Sequence, residues 1–331
     1  MFSEYDKLFV SNRLHKNVYT RIEGLSKLKE SPSIVVIGSL NMDLVLQSYK
    51  FPEEGETIIG QSFISSMGGK GANQAVAAAR LGAKVTLIGA VGDDGYGERL
   101  IDNLKNEGIN TSHITKISDM TTGIACVQVS SNDNRITVIP GANYHLRPAH
   151  IDQAEQIIEA ADIVLLQMEI PIDTIIYGIR RAKHFGKKVI LNPAPAFDLP
   201  EDILSQVDYL TPNETELHIL ASGPDAEIDI LNSAQRLLHM GVENLIVTMG
   251  GKGAKYFSGK SGEKNFLAHY VHVVDTTGAG DAFNGGVAYS LAKGDEVNQA
   301  ITFAMKVGAL AVTKLGAQTG MPTNKEIDAF L

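Results

Sequence analysis

The sequence predicts an α/β fold: a doubly wound, mainly parallel sheet with a small β-sheet lid. Three observations carry this. Short apolar runs alternate with helical stretches of about 10–15 residues, the mark of βαβ units and of a parallel sheet covered on both faces. Two β-rich segments, residues 43–66 and 121–139, interrupt the alternation with no helix of their own. Polar or glycine-rich clusters stand at the ends of the apolar runs, where ligands bind in open α/β sheets.

The predicted strands are Ile34–Ile37, Val85–Ile88, Ile163–Leu166, Val189–Leu191, Tyr209–Thr211, Leu245–Thr248 and Tyr270–Val274. Each is a short apolar or β-branched run ended by turn residues, as expected of strands buried on both faces. Helical stretches lie between them: Asn73–Leu81, Tyr96–Asn106, near 150–160, 172–184, 213–221, 228–240, and an Ala-rich run from Asp281. Crossovers of this kind are right-handed. Segments 43–66 and 121–139 read as antiparallel hairpins that join into one sheet over an end of the domain. Their open edges point to pairing across a homodimer.

Residues 1–33 stand apart. They carry six basic and four acidic groups, a balance of +2 within a chain of net −9. Leu14, Val18, Ile22 and Leu25 recur at helical spacing, so this N-terminal extension is expected to be one amphipathic helix or a flexible leader. Ser31-Pro32-Ser33 breaks it from the domain proper, residues 34–331.

Composition narrows the function. The 331 residues are 44% hydrophobic and 20% charged, the balance of an ordinary globule rather than a disordered chain. One cysteine, Cys126, excludes a disulfide framework and a multi-cysteine metal site; in a lid strand it reads as a packing residue. A net charge of −9 weighs against nucleic-acid binding through a whole-surface positive field. No stretch approaches the ~18 apolar residues of a membrane span. The N-terminus lacks the apolar core of a secretory signal, so a cytoplasmic location is expected.

Six clusters at run ends bear the chemistry. In Asp275-Thr-Thr-Gly-Ala-Gly-Asp281, the small residues Gly278, Ala279 and Gly280 leave backbone N–H groups open at a helix start. Such a turn binds anions through oriented amides and the helix dipole. Asp281 sits beside that cradle, badly placed to bind an anion but well placed to take a proton from a hydroxyl attacking one. A helix cap with ordinary turn glycines is the plain alternative. Gly68-Gly69-Lys70-Gly71-Ala72-Asn73-Gln74 also enters a helix from a glycine turn, with Lys70 and Asn73 as donors. Asn41 and Asp43 follow the first strand and share one side of an extended stretch, a pair suited to a polyhydroxylated ligand. Glu169 follows the strand at 163–166, and Asn213 and Glu216 follow that at 209–211 at N-x-x-E spacing; Glu216 also fits a capping box. Thr248 to Gly253 ends the strand at 245–248. Neither G-x-x-x-x-G-K-[ST] nor G-x-G-x-x-G occurs, which weighs against a P-loop and a dinucleotide site.

From about Ile34 to Phe330 the chain resembles the ribokinase-like (phosphofructokinase-B type) carbohydrate and nucleoside kinases. The resemblance rests on GGKGANQAVAAARLG at 68–82 and DTTGAGDAFNG at 275–285. It is reinforced by GSLNMD, the QME segment, NPAPA at 192–196, TPNETE at 211–216 and GAQ at 316–318. It implies ATP-dependent phosphorylation of D-ribose at O5, with Asp281 as base and the Gly278, Ala279 and Gly280 amides as an anion hole. It implies that Asn41, Asp43, Gly69, Lys70, Asn73 and Glu169 hold the sugar. Asn213 and Glu216 would organise Mg²⁺ and phosphate. Thr248, Gly250, Gly251, Lys252, Gly253, Gly280 and Met305, with Asn213, would line the ATP site. Asp275, Thr277, Ala311, Lys314, Gly316 and Gly320 match positions that bind an activating monovalent cation, K⁺ above all. Two positions depart from relatives: Gly320 stands where some carry serine, and Met305 where some carry histidine. The rivals are a deoxyribose or other sugar kinase of the same family, and a sugar-binding regulator without catalysis. The order Leu40-Asn41-Met42-Asp43 favours ribose. A lid with few aromatics disfavours adenosine.

Overall fold

The computed structural model describes residues 31–130, 133–223 and 229–330. The helix expected within the extension 1–33 falls outside them. Thirteen strands are present among the described residues: β1 (Ser33–Ile37), β2 (Asn41–Gln47), β3 (Ser62–Gly68), β4 (Lys84–Gly92), β5 (Asn110–Ile117), β6 (Gly123–Ser130), β7 (Asp133–Ile139), β8 (Ile163–Gln167), β9 (Lys188–Asn192), β10 (Tyr209–Leu210), β11 (Asn244–Thr248), β12 (Ala254–Ser258) and β13 (Gly262–Phe266).

Nine of them form one sheet in the order β13-β12-β11-β10-β9-β8-β1-β4-β5. Every pair from β11 through β5 is parallel, and only the β11–β12 and β12–β13 pairs at one edge are antiparallel. The period-two pleat splits the strands between two cores. Ile34 and Val36 face one, Val35 and Ile37 the other, and all four are at most 1% exposed. The first face is covered by the helices Lys70–Arg80, Ala279–Lys293 and Val297–Ala311. The second is covered by Ile172–His184, Glu214–Ser222 and Ile230–His239.

Strand order reverses at β1, which pairs with β4 on one side and β8 on the other. The crevice outside the carboxyl ends of β1 and β8 is therefore the topological switch point, where such sheets bind ligands. Glycine sets the layer above it. A Cβ on Gly285 would lie 2.5 Å from Ala77 Cβ, and one on Gly286 3.1 Å from Ala304 Cα. The helix Ala279–Lys293 thus packs on its neighbours at backbone distance, which brings its first turn against the first turn of Lys70–Arg80.

The remaining four strands make a second sheet, β3-β2-β6-β7. The expected hairpins are β2–β3 and β6–β7, both antiparallel, and they join through a parallel β2–β6 pair. Cys126 lies partly buried in β6.

Some expectations need correction. Tyr270–Val274 forms no strand, and Tyr270 is fully exposed. The N–H groups of Val274 and Asp275 both donate to Val312 O, so this segment follows the end of the helix Val297–Ala311 and pairs with no strand. The helix near 150–160 is two short ones, Pro148–Asp152 and Glu155–Ala160. β5, β12 and β13 went unpredicted because β5 (NTSHITKI) and β13 (GEKNF) are polar edge strands without apolar runs.

Candidate active site

The helix Ala279–Lys293 starts at Gly278, whose φ of 76° is left-handed. A Cβ there would sit 2.8 Å from Ala317 Cβ, so this turn requires glycine on two counts. Of the three N–H groups expected to form an anion cradle, that of Ala279 donates to Thr276 O at 3.2 Å. Those of Gly278 and Gly280 have no backbone partner among the described residues.

Asp281 follows in the first helical turn and is 7% exposed. Its Oδ2 accepts from Asn73 Nδ2 at 2.9 Å and its Oδ1 from Gln74 Nε2 at 3.0 Å. Both donors stand in the first two turns of Lys70–Arg80, which the glycine contacts between these helices bring near. Asp281, Lys70, Asn213 and Glu216 all line a polar cavity of about 220 Å³, and Gly278, Ala279 and Gly280 form part of its wall. At Thr276, Ala279 and Gly280 it meets a larger, mostly apolar cleft of about 610 Å³.

The proposed sugar residues gather beside the small cavity. Gly69 has φ 87°, and a Cβ on it would lie 2.6 Å from Asn41 N, so the start of the helix Lys70–Arg80 presses on the start of β2. Glu169 Oε2 accepts from Ser39 Oγ at 2.5 Å and from Lys70 N at 3.1 Å. Asn41 Oδ1 accepts from Asn143 Nδ2 at 2.7 Å. Burial pushes the Asp43 carboxyl up to about 7, aided by the charges of Glu169 and Asp281 and opposed by Lys70. Its carboxylate has no hydrogen bond among the described residues. Burial alone would depress the Lys70 ammonium, but Asp281, Glu169, Glu216 and Asp43 hold it above its ordinary value. Lys70 thus lies in the field of four acidic side chains without an ion pair to any of them among the described residues.

Asn213 and Glu216 form a capping box on the helix Glu214–Ser222: Asn213 Oδ1 accepts from Glu216 N, and Glu216 Oε2 from Asn213 N. The cap occupies one oxygen of Glu216 and leaves the other unused. Burial holds this carboxyl above the usual range, against the pull of the Asn213 N–H and Lys70. Thr248, Gly250, Gly251, Gly253, Gly280 and Met305 all border the larger cleft. Lys252, between them in the chain, is 76% exposed and pairs with Glu214 at 3.4 Å.

The segments holding the candidate cation residues are stitched together. Asp275 Oδ1 accepts from the N–H and Oγ1 of Thr277, and its Oδ2 from Gly316 N at 2.8 Å. Burial opposes them, but these donors hold its carboxyl below the usual range. A Cβ on Gly320 would lie 2.5 Å from Ala311 O, so glycine suits this backbone where serine would clash. The Lys314 ammonium pairs with Glu326 at 2.7 Å, which leaves only its backbone for an ion.

Sequence reasoning assigned no role to Gln74, Asn143, Gln167, Asn192, Thr211, Asn284 and Gln318, all at most 7% exposed. Their signal was available: Gln167 and Asn192 end the apolar strands β8 and β9, and Thr211 directly follows β10.

The profile of the pfkB family carbohydrate kinases matches residues 31–324. A ribokinase of Haemophilus influenzae is 41% identical over 302 residues, covering 90% of this chain and 98% of its own. A deoxyribokinase of Salmonella typhi is 39% identical over 301 residues, covering 90% and 98%. The structure of an Arabidopsis thaliana ribokinase complexed with ribose and ATP superposes with a TM-score of 0.84 at 31% identity, covering 90% and 98%. With one such profile spanning nearly all the described residues, the chain belongs to the pfkB family of carbohydrate kinases.

Proposed function

We propose that the protein transfers the γ-phosphoryl group of ATP to the 5-hydroxyl of D-ribose. One observation carries this: a buried, doubly hydrogen-bonded carboxylate, Asp281, lines the same small cavity as a helix N-terminus with free amides. Phosphoryl transfer asks a protein mainly to position two reactants and stabilise charge. The sugar would lie against Asn41, Asp43, Gly69, Lys70, Asn73 and Glu169. The nucleotide would fill the larger cleft, with Met305 supplying apolar packing and the phosphates reaching Gly280. Asp281 takes the proton of the attacking hydroxyl, and the Gly278 and Gly280 amides receive the developing charge.

Glu216 suits a Mg²⁺ ion held through water, because Mg²⁺ keeps several waters and takes only one or two carboxylates. When bound, that ion neutralises charge on the transferred phosphate. The bracing of 275–277 against 311–320 suits a monovalent cation such as K⁺, held mainly by backbone carbonyls of Ala311, Lys314 and Gly316. The lid of 43–66 and 121–139 would close over the sugar and exclude water, suppressing ATP hydrolysis. Leu46, Phe63, Ile64, Ile136, Val138 and Ile139 are exposed on it. They support a homodimer paired through the lid; a monomer in sedimentation would remove that reading. No helix among the described residues is long and apolar enough to cross a membrane, and a cytoplasmic location accompanies the proposal.

Turnover of ATP with ribose, 2-deoxyribose, fructose and adenosine, each with and without K⁺, tests the reading. Ribose is expected to give the highest kcat/KM, and K⁺ to raise it. Deoxyribose is the second reading, favoured by the Salmonella typhi relative, and a higher kcat/KM for it would select that reading. Gly278→Val is expected to lower kcat about 100-fold, the scale of one lost oxyanion donor. Its β-branched side chain cannot keep φ at 76° or clear Ala317. Wild-type kcat in that variant would exclude the anion hole.

A further inference from the structure

Both oxygens of Asp281 are held by amides, and each of those amides is held by another. On one arm Gln167 Nε2 donates to Gln74 Oε1 at 2.6 Å, and Gln74 Nε2 donates to Asp281 Oδ1 at 3.0 Å. On the other, Asn103 Nδ2 donates to Gln318 Oε1 at 2.8 Å and Gln318 Nε2 to Asn73 Oδ1 at 3.1 Å. Asn73 Nδ2 then donates to Asp281 Oδ2 at 2.9 Å.

The direction of both arms follows from chemistry. An ionised carboxylate only accepts, so Asn73 and Gln74 must each turn an NH₂ group toward it. Their carbonyl oxygens then need donors, which among the described residues the NH₂ groups of Gln318 and Gln167 supply. Gln74 is fixed further, because its Nε2 also donates to Asn192 Oδ1 at 3.0 Å, and Asn192 in turn donates to Thr211 O. Gln74 and Gln167 are 0% exposed and Gln318 is 7%, so water does not replace these partners. A carboxylate held at one oxygen can turn about its Cβ–Cγ bond; held at both, it cannot turn without losing a hydrogen bond.

We propose that Gln74 and Gln318 are positioning residues for phosphoryl transfer. They act through two amide relays that grip opposite oxygens of Asp281 and aim one of its two remaining lone pairs at the attacking hydroxyl. The inference rests on the reading of Asp281 as the base. Neither glutamine lines the polar cavity or the nucleotide cleft, so both act at second hand.

Gln74→Met and Gln318→Met keep side-chain length and remove the donor. Each is expected to lower kcat about 10- to 100-fold, the scale of a displacement near 1 Å at the reacting centre. KM for ATP is expected to stay near the wild-type value, and the pH profile of kcat to move. Because losing either grip frees the same rotation, the double variant is expected to fall by less than the product of the two losses. A purely structural role would instead lower the melting temperature and leave kcat and pH profile per folded molecule unchanged; that result, with the wild type active, overturns the proposal. A wild type with no sugar-dependent ADP formation overturns the underlying reading instead. Should both methionine variants fail to fold, Asn103→Ala, at the half-buried outer end of one relay, is read. A several-fold fall in kcat supports the relay, and unchanged kcat overturns it.

Discussion

Asp281→Asn is expected to leave a folded protein that binds ATP and has lost about 10³-fold or more of its turnover, at the upper range for a general base. Steady-state assay with ribose, alongside ATP binding by calorimetry, measures both; wild-type kcat would remove Asp281 from the mechanism. The network shows why the fold should survive. Asparagine brings an NH₂ group to a place where two donors converge, and one donor–donor contact must be relieved. The Gln74 arm resists inversion, because Gln74 Nε2 also serves Asn192. The Asn73 arm can invert amide by amide, through Gln318 to the half-buried Asn103, where solvent accepts the change. The stability cost is then on the order of one hydrogen bond, about 1 kcal/mol.

Asp43→Asn is expected to raise KM for ribose about 10- to 100-fold, the range for losing a charged hydrogen bond, while stabilising the sugar-free protein. Burial lifts this carboxyl from 3.8 to about 7. The raised value means that its favourable contribution to stability is complete below 3.8 and is lost as pH rises through about 7. Above that pH the empty protein carries an ill-solvated charge, worth on the order of 1–2 kcal/mol once solvent at the open site is allowed for. Asparagine removes that cost, so the variant should melt higher than wild type at pH 8 and about level with it at pH 4 when sugar is absent. The wild-type enzyme should show the same group in catalysis. As pH falls below about 7, a protonated Asp43 accepts less from sugar hydroxyls, and KM for ribose rises. A KM flat with pH, or a variant that melts lower at pH 8, would show that Asp43 is not a strained acceptor waiting for ligand.

The parallel sheet was legible because its strands are apolar runs, Ile34–Ile37 and Ile163–Leu166 among them, and burial on both faces leaves no other pattern. The second, smaller sheet was legible because 43–66 and 121–139 lack helical periodicity. Tyr270–Val274 misled, since β-branched residues describe fitness for a half-buried surface, and here the surface is one helix end and solvent. Asp281, Lys70 and Glu169 were legible from their place after strands or at glycine turns. The surface pair of Lys252 with Glu214 was not legible, because a loop fixes which residues are near a cleft and not which way a long side chain turns. The amide relays were hidden for another reason. Gln74, Gln167 and Gln318 are ordinary residues singly, and their meaning lies in donor direction, which exists only once the three segments meet.

The residues meeting at Asp281 come from distant parts of the chain. Its two hydrogen bonds span 208 and 207 positions, and the Gln318–Asn73 bond spans 245. Such pairings carry the largest loop-closure cost and form late in folding. Partly folded forms, on the ribosome or after denaturation, would therefore lack an assembled base even with much of the sheet in place. The carboxylate is held at both oxygens only once the helix Ala279–Lys293 and the segment around Gln318 have docked on the helix Lys70–Arg80.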